Sequence, residues 1–525
     1  MPHDPSVTAL RPRNRHVVSL SDLFPGVDLG QSGGRAAGVS GITLDSRLVS
    51  HGDLYVALPG RHHHGAAFSQ AAVAAGAVAV LTDPTGGRAA GVLPTPVIVV
   101  DDPRQAMAGV AARIYGEPAR TMSMFAVTGT NGKTTTTFLL EAALRASGHA
   151  TGLIGTIGFR LNGVPLVAAR TTVTTPESPE LQALLGYLAQ EGADAVLMEV
   201  SSHALVLGRA DAIVFDVAAF TNFGRDHLDF HGDEESYFEA KASLFTAERT
   251  RRAVINIDDP RGAHLVKRLR QVGEVEVWTV SLSDDADYRA LAYAVGADGR
   301  TEVRARLRGR SLDFRLALPG DFNVRNALTA LAMVDLTTDP ASDELERAAV
   351  GLTDATVPGR MERVELGPGA PIVYVDFAHT PQAVAAALGA VGHQRRIAVF
   401  GCGGDRDPHK RELMGAAAAR TADVVIVTDD NPRSEDAATI RAQVMAGART
   451  AVSADGLDTV LVDGGDRTSA IRHALELAEP GDVVALLGKG HEDGQELADR
   501  MIPFRDADVA AEQWSRLAAE REAPR

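Results

Sequence analysis

Short apolar runs that end abruptly in polar tips recur along the chain. "FAVTGT", "ADAVLMEVSSHAL" and "VAAFTNFGRDHLDFHG" lie in its middle; "IVYVDFAH", "RIAVFGCGGDRD", "DVVIVTDDNPR" and "DVVALLGKGHED" lie in its last third. Apolar runs of this length, bounded by turn residues, read as buried strands. Alanine- and leucine-rich segments of helical character separate them, among them 66–76, "HKRELMGAAAARTA" and "RTSAIRHALELAEPG". This alternation predicts an α/β protein with mostly parallel sheets, in which the C-terminal ends of the strands share one edge. The pattern breaks near Pro118 and again within "TDATVPGRMERVE". Three domains are therefore expected, over residues 20–120, 121–352 and 353–525, preceded by a loose N-terminal extension, 1–19.

Composition narrows the classes. At 525 residues several cores are needed, and 45 % apolar content is that of a globular chain. A net charge of −16 argues against a nucleic-acid binder, which needs a basic face. One cysteine, Cys402, leaves no disulfide framework or thiolate cluster and fits a reducing cytoplasm. The longest near-apolar run, 71–81, is too short to cross a membrane, and the N-terminus lacks the apolar segment of a signal peptide. A cytoplasmic monomer that neither binds nucleic acid nor inserts into membranes is expected.

The stretch "FAVTGTNGKTTTTFLLEAALRASG" carries the clearest chemistry. A strand ends at Thr128, Gly129, Thr130, Asn131 and Gly132 turn the chain, and Lys133, Thr134 and Thr135 open a helix with Phe138, Leu139, Ala142 and Ala143 turned inward. Glycines let backbone N–H groups approach phosphate oxygens, a lysine adds a point charge near the β- and γ-phosphates, and a threonine hydroxyl suits Mg²⁺. Val127 stands where the general pattern has glycine, so the loop is a shorter variant. ATP binding follows. The next two strands end in Glu199 and in Asn222, Asp226 and His227, and the shared strand edge makes Glu199 and His227 candidate Mg²⁺ ligands. His203, Asp226 and Asp229 are read as fixing local structure.

Taken in order, "TGTNGKTT", "TTPE", "EVSSHAL", "NFGRDHLDFHG", "YFEAKASLF", "GDFNVRNALTA", "VPGRME", "DFAHTP", "GCGGDRD", "DNPR" and "GKGHED" resemble the Mur ligase family, ATP-dependent enzymes that add amino acids to the peptidoglycan precursor. The resemblance spans residues 44–493. It implies an N-terminal domain for the UDP-sugar, a central ATPase and a C-terminal Rossmann-like domain for the incoming amino acid, here meso-diaminopimelate. The implied chemistry passes the γ-phosphoryl of ATP to the D-Glu carboxylate of UDP-MurNAc-L-Ala-D-Glu, and the amine then displaces phosphate from the acyl phosphate. Such a site must neutralise much negative charge, so cations and metals should dominate it.

The resemblance also implies roles for single residues. Leu44, Ser46, Arg61, His62 and His63 fall on the UDP part, and Thr174, Thr175, Ser201 and Arg209 on the muramoyl-dipeptide. Leu207 replaces a glutamine of some members, and Phe223-Gly224 replaces a small hydroxyl residue. Asn326, Arg360 and Asp376 match positions that meet ATP. Lys241 matches a lysine carboxylated to a carbamate (N6-carboxylysine), which would ligate Mg²⁺ beside Thr134, Glu199 and His227. Carboxylation turns a repelling cation into an oxygen donor.

In the last third, parallel strands would gather Arg406, the turn Asp430, Asn431, Pro432 and Arg433, and Gly488 and Glu492 at one rim. Arginine forks suit carboxylates, and acids suit ammonium groups, so this rim reads as a receptor for a zwitterion. The far end of diaminopimelate is one, whereas lysine has no far carboxylate. "GCGGDRD" has the wrong spacing for a dinucleotide fingerprint. The rival readings are a lysine-adding or folylpolyglutamate-type ligase, and a regulatory protein that hydrolyses ATP without forming a bond.

Overall fold

The computed structural model describes residues 10–522 apart from 15, 28–37, 61, 168–172, 297–299 and 393. The chain divides into two compact units. Met1–Ala292, Val303–Phe314 and Arg325–Thr353 form the first; Tyr293–Glu302, Arg315–Val324 and Asp354–Arg525 form the second.

The first unit opens with a four-stranded parallel sheet, Gly41–Thr43, Asp53–Ala57, Ala79–Thr82 and Val97–Val99, in sequence order. The helix Pro103–Ile114 buries Met107, Val110, Ala111 and Ile114 in the same core as these strands, and Asp102 caps it through Gln105 N. Part of the stretch read as a loose extension is tied down. Arg11 grips the fully buried Asp53 at 2.7 and 2.8 Å, and Val18–Ser19 pairs with Gly38–Val39. A carboxylate buried this deeply needs a cation, which explains the anchoring.

An 11-stranded sheet follows. Its parallel part runs Thr151–Gly155, Ala195–Glu199, Ser123–Thr128, Phe215–Phe220, Thr250–Asn256, Glu276–Ser281, Tyr288–Val295. The phosphate-loop strand is therefore flanked by the strands ending in Glu199 and in Phe220, with Val127 opposite Glu199 and Thr128 opposite Phe220. That register delivers the polar tips of three strands to one edge. The helix Ser178–Gln190 serves two cores: Ala183 packs with the first sheet, and Leu181, Leu184, Leu185 and Leu188 pack with the second. The helix after the phosphate loop, Lys133–Ala146, buries Phe138, Leu139 and Ala143 as expected, but Ala142 is only half-buried. Glu141 is buried instead, accepting from Arg160 Nε and Gly163 N.

The second unit holds a six-stranded sheet ordered Glu362–Val364, Ile372–Asp376, Val483–Leu487, Arg396–Phe400, Val424–Thr428, Val460–Gly465. All neighbours are parallel except the first pair. The four expected strands are the inner ones, and the two outermost add to them. The last strand in sequence inserts centrally, so Phe400 and Asp376 both pair with Leu487. The segments beginning at Gly401, Asp429 and Gly488 thus leave the sheet side by side. No helix of the described residues is long and apolar enough to cross a membrane.

Candidate active site

The phosphate loop is held from the neighbouring strand. Thr130 N donates to Asn222 O at 2.9 Å, Asn131 N to Asn222 Oδ1 at 2.9 Å, and Thr221 Oγ1 to Asn131 O at 2.6 Å. Gly129 and Gly132 adopt φ of 147° and 85°. A Cβ on Gly132 would lie 2.7 Å from Asn326 Oδ1, so the loop and Asn326 enclose a cradle in which a side chain has no room. Lys133 Nζ donates to the carbonyls of Gly129 and Thr130 at 2.9 and 3.0 Å. Thr135 is buried at the first turn of the helix.

Glu199 is fully buried at its strand end. Its Oε2 accepts from Thr134 Oγ1 and Thr156 Oγ1, and its Oε1 from Thr156 N, all at 2.9 Å. Gly155 makes room for it, because a Cβ there would clash with Glu199 Oε1. A carboxylate and a threonine hydroxyl in contact are oxygen donors of the kind a hard divalent cation prefers. Thr156, absent from the sequence reading, completes this cluster; its only sequence signal is its place just after the apolar run ending at Gly155.

Lys241 lies in the last turn of the helix Glu234–Ala242 with its side chain buried. Its Nζ donates to Gly129 O at 2.9 Å and lies 4.3 Å from the centre of the Tyr237 ring. Burial, reinforced by Lys133, holds this amine well below the ordinary lysine range, which shifts its balance toward the neutral form. Tyr237 Oη also shares a 3.2 Å hydrogen bond with Thr130 Oγ1. His227 has left-handed backbone, φ 52°, and its ring stands edge-on to His203 at 4.8 Å. Burial, with His203, Lys133 and Lys241 nearby, lowers its pKa despite Asp226, which leaves a neutral imidazole able to ligate. His231 donates to or accepts from Ser202 Oγ at 2.9 Å, and burial pulls it down to about 4. Among the described residues Thr134 and Glu199 are in direct contact, and no three His, Cys, Asp or Glu side chains converge as a metal site.

The residues matched to the dipeptide have protein partners of their own. Thr175 Oγ1 donates to Glu199 O, and Ser201 Oγ caps the next helix by accepting from Ala204 N. Arg209 reaches Glu177 and Thr175 O, and Glu177 also meets Arg104 of the first sheet's helix at 2.9 Å. Thr174 Oγ1 lies 3.1 Å from Thr156 Oγ1. Leu44 packs at the edge of the first core, Ser46 is half-buried beyond the same strand, and His62 and His63 are exposed. His64 is structural: it accepts from Ala66 N and meets Asp83 at 3.2 Å. Arg61 lies outside the described residues.

In the second unit Arg360 stacks over Phe377 at 4.5 Å and meets His491 Nδ1 at 3.3 Å. Asp376 Oδ2 accepts from Met361 N at 2.7 Å, and burial raises its pKa against the pull of Arg360. The rim forms around the Asp430–Arg433 turn. Gly488 stays clear of Asp430, where a Cβ would approach Oδ2 to 3.2 Å. Pro432 is buried in the turn, and its carbonyl packs against Gly404. Arg433, at φ 51°, donates through Nε to Glu496 Oε2 at 2.7 Å and through a terminal nitrogen to Gly404 O at 2.8 Å. Asn431 Nδ2 donates to Glu492 Oε2 at 2.9 Å, while Arg406 is exposed. Two members escaped the sequence reading. Lys489 is buried among Asp430, Asn431 and Glu492, although it stands in the quoted stretch "GKGHED"; Glu496 carries no sequence signal at all.

A phosphate loop on a parallel sheet, a buried carboxylate and lysine beside it, and a separate Rossmann-like sheet with a charged rim define the architecture of an ATP-dependent ligase. The chain belongs to the Mur ligase family. Three family models match it: the Mur ligase family catalytic domain over residues 38–115, the Mur ligase middle domain over 127–334, and the Mur ligase glutamate ligase domain over 359–490. The UDP-N-acetylmuramoyl-L-alanyl-D-glutamate--2,6-diaminopimelate ligase of Streptomyces coelicolor is 44 % identical over 508 residues, covering 96 % of this chain and 97 % of the relative. A solved structure of a UDP-N-acetylmuramoyl-L-alanyl-D-glutamate--2,6-diaminopimelate ligase superposes with a TM-score of 0.67 at 31 % identity, covering 96 % of this chain and all of the other. The MurF ligase of Thermotoga maritima in complex with ADP shares the fold, with a TM-score of 0.62 at 18 % identity, over 92 % of this chain and 98 % of its own.

Proposed function

We propose that the chain is an ATP- and Mg²⁺-dependent amide ligase of peptidoglycan precursor synthesis, joining meso-diaminopimelate to the D-Glu γ-carboxylate of UDP-MurNAc-L-Ala-D-Glu. The observation that carries the ligase reading is the buried amine of Lys241, hydrogen-bonded to the phosphate loop at Gly129. A lysine kept neutral is the form that adds CO₂: its nitrogen bonds the carbon, a proton leaves, and an anionic oxygen donor replaces a cation. We assign Thr134, Glu199, His227 and the carbamate of Lys241 to Mg²⁺. Bound there, the metal would offset phosphate charge during transfer.

The loop amides from Gly129 to Gly132 and the Lys133 ammonium orient the phosphates of the co-substrate ATP, with Asn326 beside the loop. Arg360 and Asp376 of the second unit are assigned to the same nucleotide. Thr174, Thr175, Ser201 and Arg209 would orient the acceptor carboxylate, and Leu44, Ser46 and residues 61–63 the UDP. The residues 20–120, 121–352 and 353–525 then hold the UDP-sugar, the nucleotide and the amino acid. The rim from Arg406 to Glu492 favours an amine whose far end carries both charges. The similarity to diaminopimelate ligases over nearly the whole chain supports the same choice.

Phosphate release measured with ATP and Mg²⁺ tests the ligase reading. Release is expected only when both UDP-MurNAc-L-Ala-D-Glu and the amine are present. Equal release from ATP alone would make the chain an ATPase instead.

A further inference from the structure

The zwitterion reading of the rim leaves one difficulty. Asp430 and Glu492, the two acids assigned to an ammonium group, would by themselves attract a cation such as the side chain of lysine as readily as a zwitterion. The structure resolves this through Lys489. Its side chain is 0 % exposed, directly beneath the rim, and its Nζ donates to Asn431 Oδ1 at 3.0 Å and to Glu492 Oε2 at 3.1 Å, with Asp430 Oδ1 at 3.6 Å. On the other side Glu496 offsets Arg433.

We propose that Lys489 is a specificity-determining positioning residue. It balances the charge of the amino-acid rim, so that an amine with a neutral, zwitterionic far end is accepted in preference to one with a cationic far end. The inference rests on the assignment of the rim to diaminopimelate made above. Asp405 already faces both Arg406 and Arg433, and Glu496 pairs with Arg433, so Lys489 is the cation that offsets the acids Asp430 and Glu492. The next charges beneath are self-neutralised: Arg467 and Asp506 are both 0 % exposed and pair at 2.7 Å. A receptor whose acids are already offset gains less from a surplus positive charge, and it can meet a paired ammonium and carboxylate with its own paired acids and arginines.

Lys489 also fixes the turn. It shares Asn431 Oδ1 with Glu496 N, and Asn431 Nδ2 holds Glu492, so one buried ammonium aligns both the amide and the acid that face the ligand. Asp430 Oδ1 is buried and accepts no hydrogen bond from any described residue. It therefore has capacity for an ammonium group without giving up a partner, while the 3.6 Å contact with Lys489 keeps its negative charge from acting alone.

The test is the ratio of kcat/KM for meso-diaminopimelate to that for L-lysine, at saturating ATP and UDP-MurNAc-L-Ala-D-Glu, in wild type, Lys489→Gln and Glu496→Gln. Glutamine at 489 can keep hydrogen bonds to Asn431 and Glu492 but not the charge, so the rim becomes more negative. The ratio is expected to fall about tenfold or more, through a higher KM for diaminopimelate and a lower one for lysine, with kcat for diaminopimelate within about threefold. Glu496→Gln removes one negative charge from the rim at a half-exposed position. Arg433 keeps its bonds to Gly404 O and, through its backbone N, to Glu496 O, so the ratio is expected to rise several-fold. A purely structural role for Lys489 would weaken both amines alike, and an unchanged ratio in Lys489→Gln overturns the inference. If that variant does not fold, an unchanged or lower ratio in Glu496→Gln overturns it. A wild-type ratio near one would instead overturn the assignment of the rim, which separates the two failures.

Discussion

Lys241 Nζ and the carbonyl oxygen of Gly129 stand 2.9 Å apart, with the lysine buried against the Tyr237 ring. The helix Glu234–Ala242 thereby supports the phosphate loop directly. If the amine works as a carbamate, Lys241→Ala is expected to lose nearly all ligation. Added formate or acetate is then expected to restore part of it by supplying the missing oxygen donor, read as phosphate release against acid concentration. A bare ammonium at this position in a crystal of active, Mg²⁺-loaded protein would count decisively against the carbamate.

Gly155 lacks a side chain because Glu199 occupies the space. Gly155→Ala is expected to displace the Glu199 carboxylate from Thr134 and Thr156. Overpacking of this kind costs roughly 1–3 kcal/mol of stability, and the Mg²⁺ concentration for half-maximal ligation should rise. A variant with wild-type thermal stability and an unchanged Mg²⁺ titration would show that Glu199 has room to move.

Glu180 lies on the helix Ser178–Gln190 that serves both cores of the first unit, and its Oε2 is buried without a hydrogen bond. Burial, with Glu177 and Asp45 nearby, pushes this carboxyl from 4.5 up to about 7. A folded-state pKa above the unfolded one means that the folded form binds the proton more tightly. Stability is then lost as pH rises from about 4.5 through about 7. Glu180→Gln is expected to stabilise the protein at pH 8 by about 1–3 kcal/mol and to change little at pH 5. Thermal melts of both proteins at the two pH values check this; an identical difference at both would exclude titration of Glu180 as the cause.

The parts of the fold legible in the sequence were those that local pattern dictates. An apolar run followed by glycines and Lys133-Thr134 can hardly be other than a strand, a phosphate loop and a helix, and Glu199 announced itself as the acid closing a buried strand. The strand Val460–Gly465 escaped because it is an edge strand, partly exposed along its length, so its apolar signal is weak. Lys489 escaped for a different reason. A lysine in a loop reads as solvated, and only the fold reveals that Asp430, Asn431 and Glu492 enclose it. The sequence presents Arg433 as a fork for a ligand carboxylate, yet Glu496, 63 residues along the chain, already holds its Nε. That pairing changes a magnitude. Stranding a buried charge costs roughly 2–5 kcal/mol, but a half-satisfied Arg433 is not stranded by lysine, so its share of selectivity belongs at the lower end of that range.

The most direct test of the account is therefore a comparison of kcat/KM for meso-diaminopimelate and L-lysine in wild type and Arg433→Ala. Wild type is expected to prefer diaminopimelate strongly. Arg433→Ala is expected to lose roughly tenfold or more of that preference, chiefly by becoming worse with diaminopimelate. Equal use of the two amines by wild type, or a full preference surviving in Arg433→Ala, would contradict the reading of this rim as the receptor for the far end of diaminopimelate.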